Sequence, residues 1–160
     1  MNDGARISYP RRPPRLERLF SSVQPFYFVT FNAYKRQPLL ARTAIHERFR
    51  SFCTRAEYYD VAVGRYVIMP DHIHLFVALP PRETTLSGWI QMLKTVLGKE
   101  LLRSAIQKPH WQEGFFDHVL RNAESYSQKW DYVRLNPVRA GLCAEPEEWA
   151  YKGEIVSIPF

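Results

Sequence analysis

Two short stretches of this chain bring together side chains suited to metal-assisted chemistry. The strand-like run from Tyr66 to Val77 contains His72 and His74, separated by one apolar residue, and the segment from Asp131 to Gly141 contains Tyr132 and Asn136. On a strand, residues two apart point to one face, so both imidazoles can meet a single ion while Ile73 and Leu75 face the other side. On a helix, residues four apart share a face, so a tyrosine hydroxyl and an asparagine carbonyl oxygen can converge on one site. Two imidazoles and an amide oxygen leave coordination positions open, which suits a divalent cation that must also bind substrate oxygens. A tyrosine beside such an ion has the role of nucleophile. The plainer reading is a pair of hydrogen-bonded strand histidines and one aromatic among nine tyrosines, with Tyr126 as the rival to Tyr132.

The elements that must position these residues can be read from periodicity. Phe26 to Asn32 is aromatic and β-branched and predicts the first strand, with 34–38 as a loop. Ile45, Phe49, Phe52 and Cys53 recur at helical spacing and predict a helix from Thr43 to Ala56. A second strand is expected over 60–69, with Pro70 and Asp71 turning the chain into a third over His72 to Ala78. Thr85 should cap a long helix whose stripe is Leu86, Ile90, Leu93, Leu97 and Leu101, with Lys94 and Lys99 off it. A fourth strand falls within Trp111 to Leu120. Asn122 should then cap a last helix with Glu124 in its first turn and Tyr126, Trp130 and Val133 on its buried side. At ~100° per residue, Tyr132 and Asn136 sit about a quarter turn from that stripe. Pro137 disfavours helical geometry at the residue before it, so this helix should end at Asn136. The order β-α-β-β-α-β-α predicts an α+β fold: a ferredoxin-like sandwich with an antiparallel four-stranded sheet and an added C-terminal helix carrying Tyr132.

With 160 residues, 46% of them hydrophobic, the chain has the size of one domain with a real core. The expected division is a basic Pro/Arg-rich arm over 1–24, one domain over 25–145 and a short tail over 146–160. The formal charge of +6, from 22 Lys plus Arg against 16 Asp plus Glu, favours polyanionic partners such as nucleic acid. Cys53 and Cys143 lack metal-like spacing and read as two unbridged thiols of a reducing compartment. No apolar run approaches the ~20 residues of a membrane span, and the N-terminus lacks a signal-peptide core, so a cytoplasmic protein is expected.

The string Met69-Pro-Asp-His-Ile-His-Leu75 with one downstream tyrosine resembles the HUH single-tyrosine transposases of the IS200-like superfamily. The string Tyr132-Val-Arg-Leu-Asn-Pro-Val-Arg-Ala-Gly-Leu142 resembles the REP-associated branch, which has Asn-Pro where the insertion-sequence branch more usually has Gln. Phe28-Val-Thr-Phe-Asn32, Trp111-Gln with Phe116-Asp-His-Val-Leu-Arg121, and Glu148-Trp-Ala-Tyr151 fit as well, so the resemblance runs over about 26–151. It implies that His72, His74 and Asn136 bind a divalent ion, Mg²⁺ or Mn²⁺, and that Tyr132 is the nucleophile. It also implies cleavage and rejoining of single-stranded DNA beside hairpins of repetitive extragenic palindromes, through a 5′-phosphotyrosine. The insertion-sequence relatives act as dimers, whereas the REP-associated branch points to a monomer. A free phenol is protonated at neutral pH, so the ion, a basic neighbour such as Lys129, or a water must assist its deprotonation.

Further candidates for DNA contact are Lys94, His118, Arg121, Lys129, Arg134 and Arg139. Each is also readable as a solvated surface charge or, for His118, as a strand histidine satisfied by the backbone. Asp71 reads as a turn residue beside Pro70 rather than as support for the histidines. Two other functions fit parts of the pattern. One is a hairpin-binding module of the same descent that does not cut, against which the intact Tyr132, His72, His74 and Asn136 argue. The other is an RNA-recognition sheet, against which the absence of an aromatic RNP string argues.

Overall fold

The computed structural model describes residues 25–80 and 84–158. The proposed basic arm over 1–24 lies outside them. In chain order the elements are β1 (Phe26–Asn32), α1 (Thr43–Arg55), β2 (Ala62–Ile68), β3 (His72–Ala78), α2 (Leu86–Arg103), β4 (Phe116–Leu120), α3 (Ala123–Arg134), α4 (Asn136–Arg139) and β5 (Lys152–Glu154). They form an α+β fold around one antiparallel sheet of order β4-β1-β3-β2-β5.

Strand alternation divides the apolar residues between two layers. Val29 and Phe31 of β1 and Ile73, Leu75 and Val77 of β3 meet Ile45, Phe49 and Cys53 of α1 and Ile90, Leu93 and Leu97 of α2. Phe26, Phe28, Phe76 and Ala78 point the other way, where Tyr126 and Val133 of α3 cover them. β3 is the middle strand and is buried on both faces from Ile73 onward. Both expected helix caps are present: the Gly88 amide donates to Thr85 Oγ1 at 3.1 Å, and the Ser125 amide donates to Asn122 Oδ1 at 2.8 Å. Cys53 and Cys143 are both free thiols.

Three features depart from the sequence reading. The sheet has five strands, because the segment set apart as a tail returns to the edge of β2. There Trp149 Nε1 donates to the Ile68 carbonyl at 3.0 Å, the Ile68 amide donates to the Tyr151 carbonyl at 2.8 Å, and Val156 and Ile158 are buried. An edge strand otherwise presents unpaired backbone groups, and the short Lys-Gly-Glu run satisfies them without any apolar pattern of its own. The helix bearing Tyr132 ends at Arg134, and Leu135 takes a bridge conformation (φ −86°, ψ −6°). Asn136 therefore opens the next turn, where Pro137 sits in the first positions and its missing amide costs nothing.

The third departure is Lys94, which is only 5% exposed. Its ammonium lies 5.7 Å from the centre of the Phe31 ring and donates to the carbonyls of Gln112 at 3.1 Å and Gly114 at 2.6 Å. Burial lowers its proton affinity. This group braces the loop leading into β4 and is not open to a phosphate. Lys94→Met is accordingly expected to remove two charge-assisted hydrogen bonds to the loop and to lower stability by roughly 1–3 kcal/mol. Thermal melting reads that loss, and divalent-ion binding should not change.

Candidate active site

The two histidines stand on the face of β3 that α3 covers, and neighbouring side chains orient each ring. His74 Nδ1 is 2.7 Å from Thr30 Oγ1, its partner across the β1–β3 ladder. His72 Nδ1 is 2.7 Å from Asp71 Oδ1, while Asp71 Oδ2 accepts from Arg36 Nε at 2.8 Å. Arg36 also donates to Asn32 Oδ1 at 2.8 Å. A carboxylate only accepts, so the His72 proton sits on Nδ1 and its Nε2 carries a lone pair. Phe28 stacks on His74 with ring centres 5.4 Å apart and planes at 22°.

The Nε2 atoms of the two rings face each other at 3.0 Å, and the Asn136 amide nitrogen lies 2.7 Å from His74 Nε2. Asn136 Oδ1 accepts from Arg139 Nη2, which also donates to the Tyr132 carbonyl. The Arg139 guanidinium lies 4.1 Å from the centre of the Tyr132 ring. One arginine thus ties the tyrosine to the asparagine that meets the histidines. Tyr132 itself is 60% exposed, whereas its rival Tyr126 is buried against Phe26 and Phe76. Burial pushes the Tyr126 phenol up to about 12.

This donor set fits a divalent ion. Both Nδ1 atoms are held from behind, and the Asn136 N–H, oriented by Arg139, donates to His74 Nε2, so Nε2 of each ring carries its lone pair, the usual support pattern of metal-binding histidines. Two ligand atoms at right angles, each about 2.1 Å from an ion, lie about 3 Å apart, as these do. Burial pushes His74 down to about 3, helped by the repulsion a protonated His72 would add and by the positive charges of Arg36, Lys129 and Arg139, and burial also lowers His72. Both rings are therefore neutral, the form a metal needs. Burial acts to raise the Asp71 carboxyl, but the His72 hydrogen bond and the Arg36 guanidinium outweigh it and hold that group below its ordinary value. Among the described residues no three His, Cys, Asp or Glu side chains gather, and the side chain that meets His74 Nε2 besides His72 is the Asn136 amide. To present its oxygen, that amide must turn over and release Arg139.

The remaining candidates disperse. Lys129 lies over the Phe28 ring at 5.1 Å, and so stands one ring from His74. His118 is exposed on β4 opposite Phe28, and Arg121 is exposed just beyond that strand. Arg134 pairs with Asp131 at 3.1 Å and Glu147 at 3.8 Å, which offsets its charge. Lys94 is buried in the opposite layer. Asp71 is more than a turn residue, since it holds His72. Thr30 and Arg36 carried no role in the sequence reading. The one aliphatic hydroxyl in the aromatic run of β1 is a usable signal for Thr30. Arg36 had none, because it reaches Asp71 from an irregular turn in which it adopts φ 56°.

The family model described as "Transposase IS200 like" matches residues 23–134. A candidate REP-associated tyrosine transposase of Haemophilus influenzae is 27% identical, with 78% of this chain and 77% of that protein covered. The REP-associated tyrosine transposase of Escherichia coli K12 is 24% identical over 78% of this chain and 73% of its own length. Among solved structures, a REP-associated tyrosine transposase bound to a REP hairpin superposes with a TM-score of 0.64 at 20% identity, covering 94% of each chain. The match to the family model includes β1, both histidines and the helix bearing Tyr132, and the chain belongs to the IS200-like family of DNA transposases.

Proposed function

We propose that this transposase cleaves and rejoins single-stranded DNA beside a palindromic hairpin, with Tyr132 as nucleophile and Mg²⁺ or Mn²⁺ held by His72, His74 and Asn136. The observation that carries this reading is the pair of facing Nε2 atoms 3.0 Å apart, joined through Asn136 and Arg139 to an exposed tyrosine. A bound divalent cation would neutralise a nonbridging phosphate oxygen and stabilise charge that builds in the transition state. Tyr132 Oη attacks phosphorus, the bond to the 3′ oxygen breaks, and the products are a 5′-phosphotyrosine and a 3′-OH. The tyrosine proton leaves to solvent or a nearby base, and the departing 3′ oxygen takes one up. Because the ester conserves the bond, attack by another 3′-OH rejoins DNA without a nucleotide cofactor.

The solved relative bound to a REP hairpin and the REP-associated relatives support a palindromic hairpin as partner. All four proposed site residues are on one chain, and the reading takes a monomer as the acting unit. Among the described residues no helix is long and apolar enough to cross a membrane, and the reading places the protein on cytoplasmic DNA.

The test uses labelled single-stranded DNA bearing hairpins from palindromic repeats, with Mg²⁺ or Mn²⁺, resolved on a denaturing gel. The wild type is expected to form a covalent adduct that disappears with chelator and in Tyr132→Phe, while gel-shift binding of the hairpin persists. Tight binding without an adduct would establish a non-cleaving hairpin module instead. An adduct that survives Tyr132→Phe and is lost in Tyr126→Phe would move the nucleophile.

A further inference from the structure

We propose that Phe116 is a stacking platform for an unpaired base of the DNA strand that enters this site. The inference rests on the reading above and names the ligand of a surface next to the histidines. In the ladder, Phe116 of β4 pairs with Thr30 of β1, and Thr30 pairs with His74 of β3. Directly paired residues share a face, so the Phe116 ring and the His74 ring rise from the same side of the sheet, about 10 Å apart at two strand spacings. That separation is on the scale of one nucleotide.

The helix that covers this face leaves its β4 margin open. Tyr126 of α3 packs on Phe26 and Phe76, on β1 and β3, while Phe116 to Val119 are all exposed. Phe116 is 58% exposed, one of the largest apolar side chains left in water among the described residues. Two nitrogen bases share its face of the sheet. Lys129 stands over Phe28, two residues from Thr30 on β1, and His118, two residues from Phe116, pairs with Phe28 across the ladder. Alternation turns Asp117 to the other face. An aromatic face for a base, flanked by basic groups for the backbone, is the composition of a single-stranded nucleic-acid groove. Charge complementarity selects an unpaired nucleotide as the occupant.

The test is a fluorescence titration without divalent ion, using hairpins whose unpaired flank carries 2-aminopurine at each position in turn. Wild-type protein is expected to quench the probe at one flank position. Phe116→Ala should lose that quench and bind the flanked hairpin roughly 5- to 150-fold more weakly, the range measured for base–aromatic stacks. Phe116→Trp should keep both, and a blunt hairpin without the flank should bind all three proteins alike. Thermal melting of the exposed-site variants is expected to match wild type. Equal quench and affinity in Phe116→Ala would overturn the proposal, as would a shift from dimer to monomer in that variant, which would make β4 a subunit edge. The titration needs no cleavage, so a Phe116-dependent quench in a wild type that forms no adduct would support the stacking site while overturning the cleavage reading.

Discussion

Replacing both His72 and His74, by alanine or by the bulkier glutamine, is expected to leave hairpin binding near wild type and to slow covalent adduct formation roughly a thousandfold or more. That is the scale of several kcal/mol of transition-state charge stabilisation. The expectation rests on geometry more than on residue type. Thr30 and Asp71 occupy the two Nδ1 atoms, the Nε2 atoms face each other at 3.0 Å, and the Asn136 amide meets His74 Nε2 at 2.7 Å. Single-turnover kinetics measures the rate, and calorimetric titration of Mn²⁺ measures the ligand role separately. Undiminished Mn²⁺ binding in the glutamine variant would remove the histidines from the ligand set. A lost ion with an unchanged rate would remove the ion from the chemistry.

Phe76→Ala is expected to produce the largest loss of stability and to carry activity down with it. Phe76 is fully buried at the centre of β3, with Phe28 at 5.3 Å, Phe26 at 6.1 Å, Tyr126 at 4.8 Å and Trp130 at 6.3 Å. Two of these neighbours belong to α3, so the ring is what seats the tyrosine-bearing helix on the sheet. Truncating a buried Phe costs about 3–5 kcal/mol. At ~2–4 °C per kcal/mol for a chain of this size, the melting temperature should fall by roughly 10 °C. At a temperature where the variant is still folded, the adduct rate should fall more than hairpin affinity, because the cavity loosens α3 against the histidines. A variant with lowered melting temperature and wild-type rate would show that α3 keeps its seat without this ring.

The chain's local chemistry made much of the frame legible. The bounds of β1 and β3 read from sequence coincide with those in the structure, and Thr85 and Asn122 both cap their helices. Those features depend on neighbours within a few residues, which is where propensity, alternation and capping act. Lys94 escaped that reasoning because a lysine off the apolar stripe is ordinarily solvated. Only the carbonyls of Gln112 and Gly114, delivered by a distant loop, make its burial tolerable. β5 escaped it because a three-residue strand containing Gly is selected by the open edge of β2, not by its own pattern.

The candidate site divides along the same line. By itself, the sequence determined that two imidazoles share one strand face, that Tyr132 and Asn136 lie close along the chain next to a proline, and that the strings around them are those of the IS200-like transposases. Only the tertiary structure decided how these groups are held. Thr30 reaches His74 across 44 residues and Asn136 reaches it across 62, and Arg36 reaches Asp71 across 35. Arg139 clasps both Tyr132 and Asn136 because Leu135 breaks the helix between them. Periodicity assigns a side chain to a face because the backbone repeat is local. Which partner orients it depends on strand register and on how each loop closes, set by the packing of the whole core.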